Sequence, residues 1–335
     1  MQVLIVNQSE VRQLMSMAAC IEVMQEALTT LARGEGVNPL RWATFLPEEV
    51  NGLIGMMPAY LAKPPSMGLK AVTVMPGNHG TPYDAHQGAV LLFETKFGRL
   101  QAMMDASEIT GIRTGAVSGL ATRLLARQDA NDLAILGSGV QASSHLAAVL
   151  AVRSIKRIRV WSRSADNARE FAQIEGQRHG MDVEVSGSAQ EATDGADIIC
   201  TTTSAREPVL EGRWLSPGAH VNAAGSSIKT TRELDTDAIV RSRLFVDRRE
   251  STLNEAGDFL FPRMEGAVQD DHIQGELGEI LLEQVPGRET REEITLFKSL
   301  GLGVEDIAAA HYIYSQAVEK GVGTWVEWGG ERNGD

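Results

Sequence analysis

Three cations in this chain sit where an anionic ligand would give them a purpose. Lys70 lies in "GLKAVTV", where Lys70, Val72 and Val74 share one strand face by a period of two. A lysine on such an apolar face needs an anion, and the same burial lowers its pKa into a useful range. The alternative is a side chain snorkelling at a sheet edge. Arg113, in "ITGIRTGAVSGLAT", shares a helix face with Ala116, Val117 and Leu120 and is expected near the helix start, where an anion is favoured. Thr114 adds a hydroxyl beside it. Arg41, in "NPLRWATF", is by itself an ordinary surface arginine. With no Cys/His cluster and no H-E-x-x-H, the sequence predicts no metal.

A second constellation is "LAILGSGVQASSHL", residues 133–146. Gly137, Gly139 and Ala142 match G-x-G-x-x-G/A between a strand and a helix. The first glycine permits the tight turn, the second lets a pyrophosphate approach the backbone, and Ala142 allows close helix–strand packing. The helix amides and dipole would hold the negative charge. The next strand ends "VWSRS". NAD enzymes carry Asp or Glu there, whereas Ser162, Arg163 and Ser164 would accept a 2′-phosphate. This predicts NADP(H), with NAD(H) also admitted; the alternative is that Arg163 simply lies in solvent. His86, in "DAHQGAVLLFE", is either structural or a group that approaches the nicotinamide.

The elements that must position these groups follow two rhythms. After a first strand, Ser9 is expected to cap a helix with Val11, Leu14, Met15, Ala18, Ile21, Met24, Leu28 and Leu31 at helical spacing, stopped by "RGEG". Residues 41–105 read as a mainly antiparallel sheet, with "TKFGRLQAMMD" turning one strand into another. From "DLAILG" onward, strands alternate with helices, the signature of a parallel sheet covered on both faces. Strand candidates recur at 244–247 and 294–300, and "EDIAAAHYIYSQAVEKG" is a last helix that returns to cover the first sheet. The expected organisation is an α/β chain with a doubly wound dinucleotide domain, residues 116–305, inserted into a second α+β domain, residues 1–115 plus 306–335.

Composition narrows the partners. A net charge of −13 argues against a nucleic-acid backbone and confines any phosphate site to local amides and placed cations. Cys20 and Cys200 are the only cysteines, which fits a reducing compartment. The N-terminus reads as a strand rather than a signal peptide, and no run approaches the ~20 apolar residues of a membrane span. A cytoplasmic protein is expected.

The ordered motifs "GLKAVTVMP", "HQGAVLLFE", "ITGIRTGAVSGLAT", "LAILGSGVQASSHL", "VWSRSADNAREFA", "PGAHVNAAGSS" and "FKSLGLGVED" closely resemble the ornithine cyclodeaminase/mu-crystallin family. The resemblance implies a homodimer with a Rossmann domain and a substrate-binding and dimerisation domain. It implies that Arg41, Lys70 and Arg113 hold a substrate α-carboxylate; His86 is expected, from its place before an apolar strand, as a further substrate contact. The resemblance places Thr114, Gly137, Gly139, Val140, Gln141, Ser162, Arg163, Ser164, Thr203, Ser227 and Gly301 at the cofactor. Two departures matter: Gly55 in "LIGMMPAY" and Ser226 or Ser227 in "AAGSSIK" stand where cyclodeaminases carry a glutamate and an aspartate for the substrate's amino groups. The expectation is therefore an NADPH-dependent reductase of imino acids, as in the mu-crystallin branch, with Δ1-pyrroline-2-carboxylate or Δ1-piperideine-2-carboxylate as substrate. Acyclic imine reduction, alanine dehydrogenase-like oxidation, ammonia release from ornithine with catalytic NAD, and ligand binding without turnover are the alternatives.

Overall fold

The computed structural model describes residues 1–78 and 81–330. By its internal contacts the chain divides into two units, 1–113 with 302–335 and 114–301.

The first unit begins with β1 (Gln2–Val6), α1 (Gln8–Leu14) and α2 (Met17–Ala32). The single helix expected from the apolar spacing is thus two, and its cap is not Ser9. Asn7 caps α1 in a reciprocal box with Glu10, while the Ser9 hydroxyl donates to the Asn7 side chain. Met15 is extended and Ser16 caps α2, because a second oxygen-bearing side chain offers the backbone a competing start. Then follow β2 (Gly36–Val37), β3 (Trp42–Phe45), β4 (Leu53–Ala62), β5 (Pro65–Val74), β6 (His86–Phe93) and β7 (Leu100–Asp105). Helix α3 (Ala106–Leu125) carries the division between units within it. Arg113 is its eighth residue, about two turns in, so the pull that the helix N-terminus exerts on an anion does not reach it.

The second unit contains β8 (Asp132–Leu136), α4 (Val140–Val152), β9 (Arg157–Trp161), α5 (Ala165–His179), β10 (Glu184–Val185), α6 (Ala189–Thr193), β11 (Ile198–Thr201) and β12 (His220–Ala223). It continues through α7 (Thr236–Val240), β13 (Ser242–Val246), α8 (Arg249–Glu255), α9 (Gly257–Met264), β14 (Ile273–Glu276), α10 (Leu277–Leu281) and β15 (Ile294–Lys298). The strand order is β10-β9-β8-β11-β12-β15-β13-β14, and every pairing is parallel. Alternation along β8 shows why both faces are covered: Leu133 and Ile135 enter one core with α4, while Ala134 and Leu136 enter the other. This is the Rossmann-like, doubly wound arrangement, and its order reverses between β8 and β11. Strand β14 and helices α7 and α10, four or five residues each, are too short to show a period in the sequence.

The chain then returns to the first unit with α11 (Gly303–Lys320) and β16 (Thr324–Glu327). Its sheet runs β16-β1-β7-β6-β5-β4-β2, with β3 also on β4; it is antiparallel except where β1 meets β7. Helix α11 packs on β4, β5, β6 and α2. Its buried Ile307, Ala310, Ile313 and Ala317 supply the cover that the N-terminal strands lack. Strand β16 was not foreseen; it caps the β1 edge.

Candidate active site

In the first unit, β5 turns Ser66, Gly68 and Lys70 toward the α11 side, and all three are buried. The first turn of α11 brings Glu305 and Asp306 to the same place, where the helix N-terminus favours their charge. Asp306 bridges two cations, with Lys70 Nζ at 2.8 Å on one oxygen and Arg113 Nε at 2.9 Å on the other. Arg113 Nη1 donates to Glu305 at 2.9 Å, and Lys70 Nζ also donates to the Thr110 hydroxyl at 3.3 Å. Lys70 and Arg113 are 3 % and 4 % exposed, and both acids are wholly buried.

Two buried cations against two buried anions make a cluster that is neutral as a set. Burying four charges costs more solvation than most folds tolerate without a functional reason. Burial lowers the Lys70 pKa to about 8, opposed by the Asp306 carboxylate and reinforced by the charges of Arg113 and Arg41. The result is an ammonium that still holds its proton at neutral pH but releases it far more readily than a surface lysine. Arg41, half-buried just before β3, is thus close enough for its charge to be felt at Lys70. His86 opens β6 opposite Val74, and desolvation followed by the Lys70 charge holds its pKa below the ordinary value. Gly55 pairs with Val72 as Met57 pairs with Lys70, so it lies on the Lys70 face and brings no carboxylate there.

In the second unit, the turn after β8 is shaped for a dinucleotide. Gly137 has φ +126°, and a Cβ there would lie 2.6 Å from the Thr202 hydroxyl oxygen. Gly139 caps α4 without any side-chain hydrogen bond, and a Cβ built on it would meet nothing within 4 Å. The start of α4 at Val140 therefore opens onto free space beside Gly139. These are features a pyrophosphate would complete. At the end of β9, Ser162 accepts from the Ser138 hydroxyl at 3.0 Å and Ser164 caps α5. Arg163 between them is exposed.

The remaining expected cofactor residues sit at the carboxyl ends of β11, β12 and β15, except Thr114, which is buried in α3. Thr203 is held by Glu233 through both its amide and its hydroxyl. The amide of Gly301 donates to Asp247 at 2.7 Å. Ser226 is buried with its hydroxyl bonded to Thr231, whereas Ser227 is half-buried beside it. Of the two serines, Ser227 has the hydroxyl left for a ligand. Sequence reasoning missed Glu305 and Asp306 in the first unit and Glu233, Asp258 and Lys298 in the second. The one available signal was the acid pair opening an otherwise apolar helix in "GVEDIAAA".

A Rossmann-like unit with an open glycine turn and a second unit with a buried lysine–carboxylate–arginine cluster fit the class of dinucleotide-dependent enzymes. The chain belongs to the ornithine cyclodeaminase/mu-crystallin family, which matches residues 1–321. It is 41 % identical to the ketimine reductase mu-crystallin of Mus musculus over 90 % of this chain and 93 % of that one. The Thermococcus litoralis Δ1-pyrroline-2-carboxylate reductase, solved in complex with NADH and L-proline, superposes with a TM-score of 0.94 at 39 % identity, covering 96 % of this chain and 99 % of that one. An archaeal alanine dehydrogenase dimer with bound NAD gives a TM-score of 0.92 at 30 % identity, covering 98 % and 100 %.

Proposed function

We propose that this protein reduces the C=N bond of a cyclic imino acid, Δ1-pyrroline-2-carboxylate or Δ1-piperideine-2-carboxylate, giving proline or pipecolate, with NADPH as reductant. The observation that carries the reading is the buried Lys70–Asp306–Arg113–Glu305 cluster, whose lysine is tuned to a pKa of about 8. A reduced nicotinamide, held through Gly137, Gly139, Val140 and Gln141, supplies the hydride when bound. Lys70 donates the accompanying proton to the imine nitrogen, directly or through a water it orders. Asp306 keeps Lys70 protonated and fixes its position. Arg41, Lys70 and Arg113 hold the substrate carboxylate, and such positioning can supply several kcal/mol of barrier reduction. Gly55 and Ser227 disfavour ammonia release from ornithine, because neither offers a carboxylate to a second amino group.

Arg163 between two serine hydroxyls supports NADP(H) over NAD(H), since a guanidinium and hydroxyls complement a 2′-phosphate. Residues 1–113 with 302–335 are assigned to substrate binding and dimerisation, and 114–301 to the dinucleotide. The occupant proposed for the sheet face opposite Lys70 is a second copy of the chain. Met67, Leu69, Leu91, Phe93 and Met103 make that face apolar yet only half-buried. The alanine dehydrogenase relative was solved as a dimer. No helix among the described residues is long and apolar enough to cross a membrane. Two buried, unbridged cysteines support a cytoplasmic location.

The test is a panel of cyclic and acyclic imino acids assayed with NADPH and NADH. NADPH absorbance should fall on addition of a cyclic ketimine. No turnover across the panel would reject the reductase reading, and ammonia from ornithine without net NADPH consumption would replace it with the lyase.

A further inference from the structure

Beneath the loops that follow β11, β12 and β15 lie charged groups that the proposed mechanism does not use. Lys298 ends β15, 1 % exposed, between Ala223 of β12 and Val246 of β13. Its ammonium donates to the Ser226 carbonyl and pairs with Asp258 at 2.8 Å. The other Asp258 oxygen accepts from the amides of Glu233 and Leu234 at 2.7 and 3.0 Å. Glu233, wholly buried, then spans two loops. One oxygen accepts from the Thr203 amide and hydroxyl at 2.5 and 2.7 Å. Its second oxygen accepts from the Thr201 hydroxyl and the Gly225 amide, each at 2.8 Å.

A doubly wound sheet binds the two halves of a dinucleotide on either side of the point where strand order reverses, outside the carboxyl ends of its strands. Here the Gly137 turn and Ser162–Ser164 lie on the β8–β9 side, and the Thr203 and Ser226–Ser227 loops lie on the β11–β12 side. We propose that Glu233, with Asp258 and Lys298, is a positioning assembly that locks these two loops together and so shapes the nicotinamide half of the cofactor site without touching the adenosine half. The proposal rests on the dinucleotide reading of this unit. A single carboxylate suits the task because four N–H and O–H donors, from the end of β11 and from both loops, converge on it. A neutral amide can accept on one side only, and its NH2 group would face either the Thr203 or the Gly225 amide.

The experiment compares wild type with Glu233→Gln and Asp258→Asn by calorimetric titration with two probes. One is NADPH, and the other is adenosine 2′,5′-bisphosphate, which carries the adenosine half alone. If the protein prefers the unphosphorylated cofactor, NADH and ADP take their places. The expected result is NADPH binding weakened about fivefold to thirtyfold in both variants, with the adenosine probe within about twofold of wild type. Folding is checked by circular dichroism. Equal weakening of both probes, no weakening of either, or loss of the fold in both variants would overturn the proposal and make the network a determinant of the fold. Wild type that binds neither dinucleotide would overturn the reading beneath it. Wild type that binds NADPH but reduces no imine would reject the reductase reading while leaving this comparison valid.

Discussion

Replacing Asp306 with asparagine tests the tuning of Lys70 directly. The substitution keeps the volume but removes the one negative charge in contact with the ammonium, at 2.8 Å. At an effective dielectric constant of about 20, that attraction is worth about 6 kcal/mol. If the asparagine dipole and relaxation recover about three-quarters of it, about 1.5 kcal/mol is lost, which lowers the Lys70 pKa by about one unit. Protonated Lys70 is the required form, so kcat/KM for a cyclic ketimine should fall as pH rises through about 8 in wild type and about 7 or lower in Asp306→Asn. The assay is NADPH oxidation across a pH series, read against unfolding midpoints in urea. The variant should also lose about 3–5 kcal/mol of stability, since a partner of a buried ion pair is removed. A folded Asp306→Asn protein with the same alkaline limb as wild type would show that Lys70 is not the titrating acid.

Arg163→Ala should weaken NADPH binding by about 1.5–3 kcal/mol and leave NADH unchanged; equal affinities for the two cofactors in wild type would refute the Ser-Arg-Ser reading. The Lys70 pKa of about 8 lies below its ordinary value of 10.5, so between those values the unfolded chain binds more protons and stability rises with pH. Urea unfolding at several pH values should show a gain on the order of 3 kcal/mol over that window in wild type relative to Lys70→Met; parallel profiles would count against the shift. Gly137→Ala forces a side chain onto φ +126° and against Thr202, so it should cost about 1–3 kcal/mol and abolish dinucleotide binding. Retained calorimetric binding with an unchanged melting temperature would contradict that geometry.

What the sequence discloses depends on how local the physics is. The glycine turn is legible because its requirements lie within a few residues: a positive φ at Gly137, open space at Gly139, an uncapped helix start at Val140. The alternation along β8 is legible for the same reason. Lys70 is half-legible, since its period-two neighbours predict burial but cannot say what anion meets it. The answer lies on α11, and the Arg113–Asp306 bond closes a separation of 193 positions. Read alone, Glu305 and Asp306 are two acids complementing a helix N-terminus, the commonest reason for acids there. Arg113 shows the converse error: its apolar neighbours were read correctly, but it lies seven residues beyond the helix start, out of reach of the dipole, and the anions that meet it are tertiary partners. Glu233, Asp258 and Lys298 were invisible for the same non-local reason. Each of these acids is committed to a buried cation or to backbone amides, so the net charge of −13 says little about the field a substrate meets. That field is set by pairings that form only when strands and helices far apart in the chain close on one another, which is why residue types pointed to a cofactor while only the fold could point to the tuned lysine.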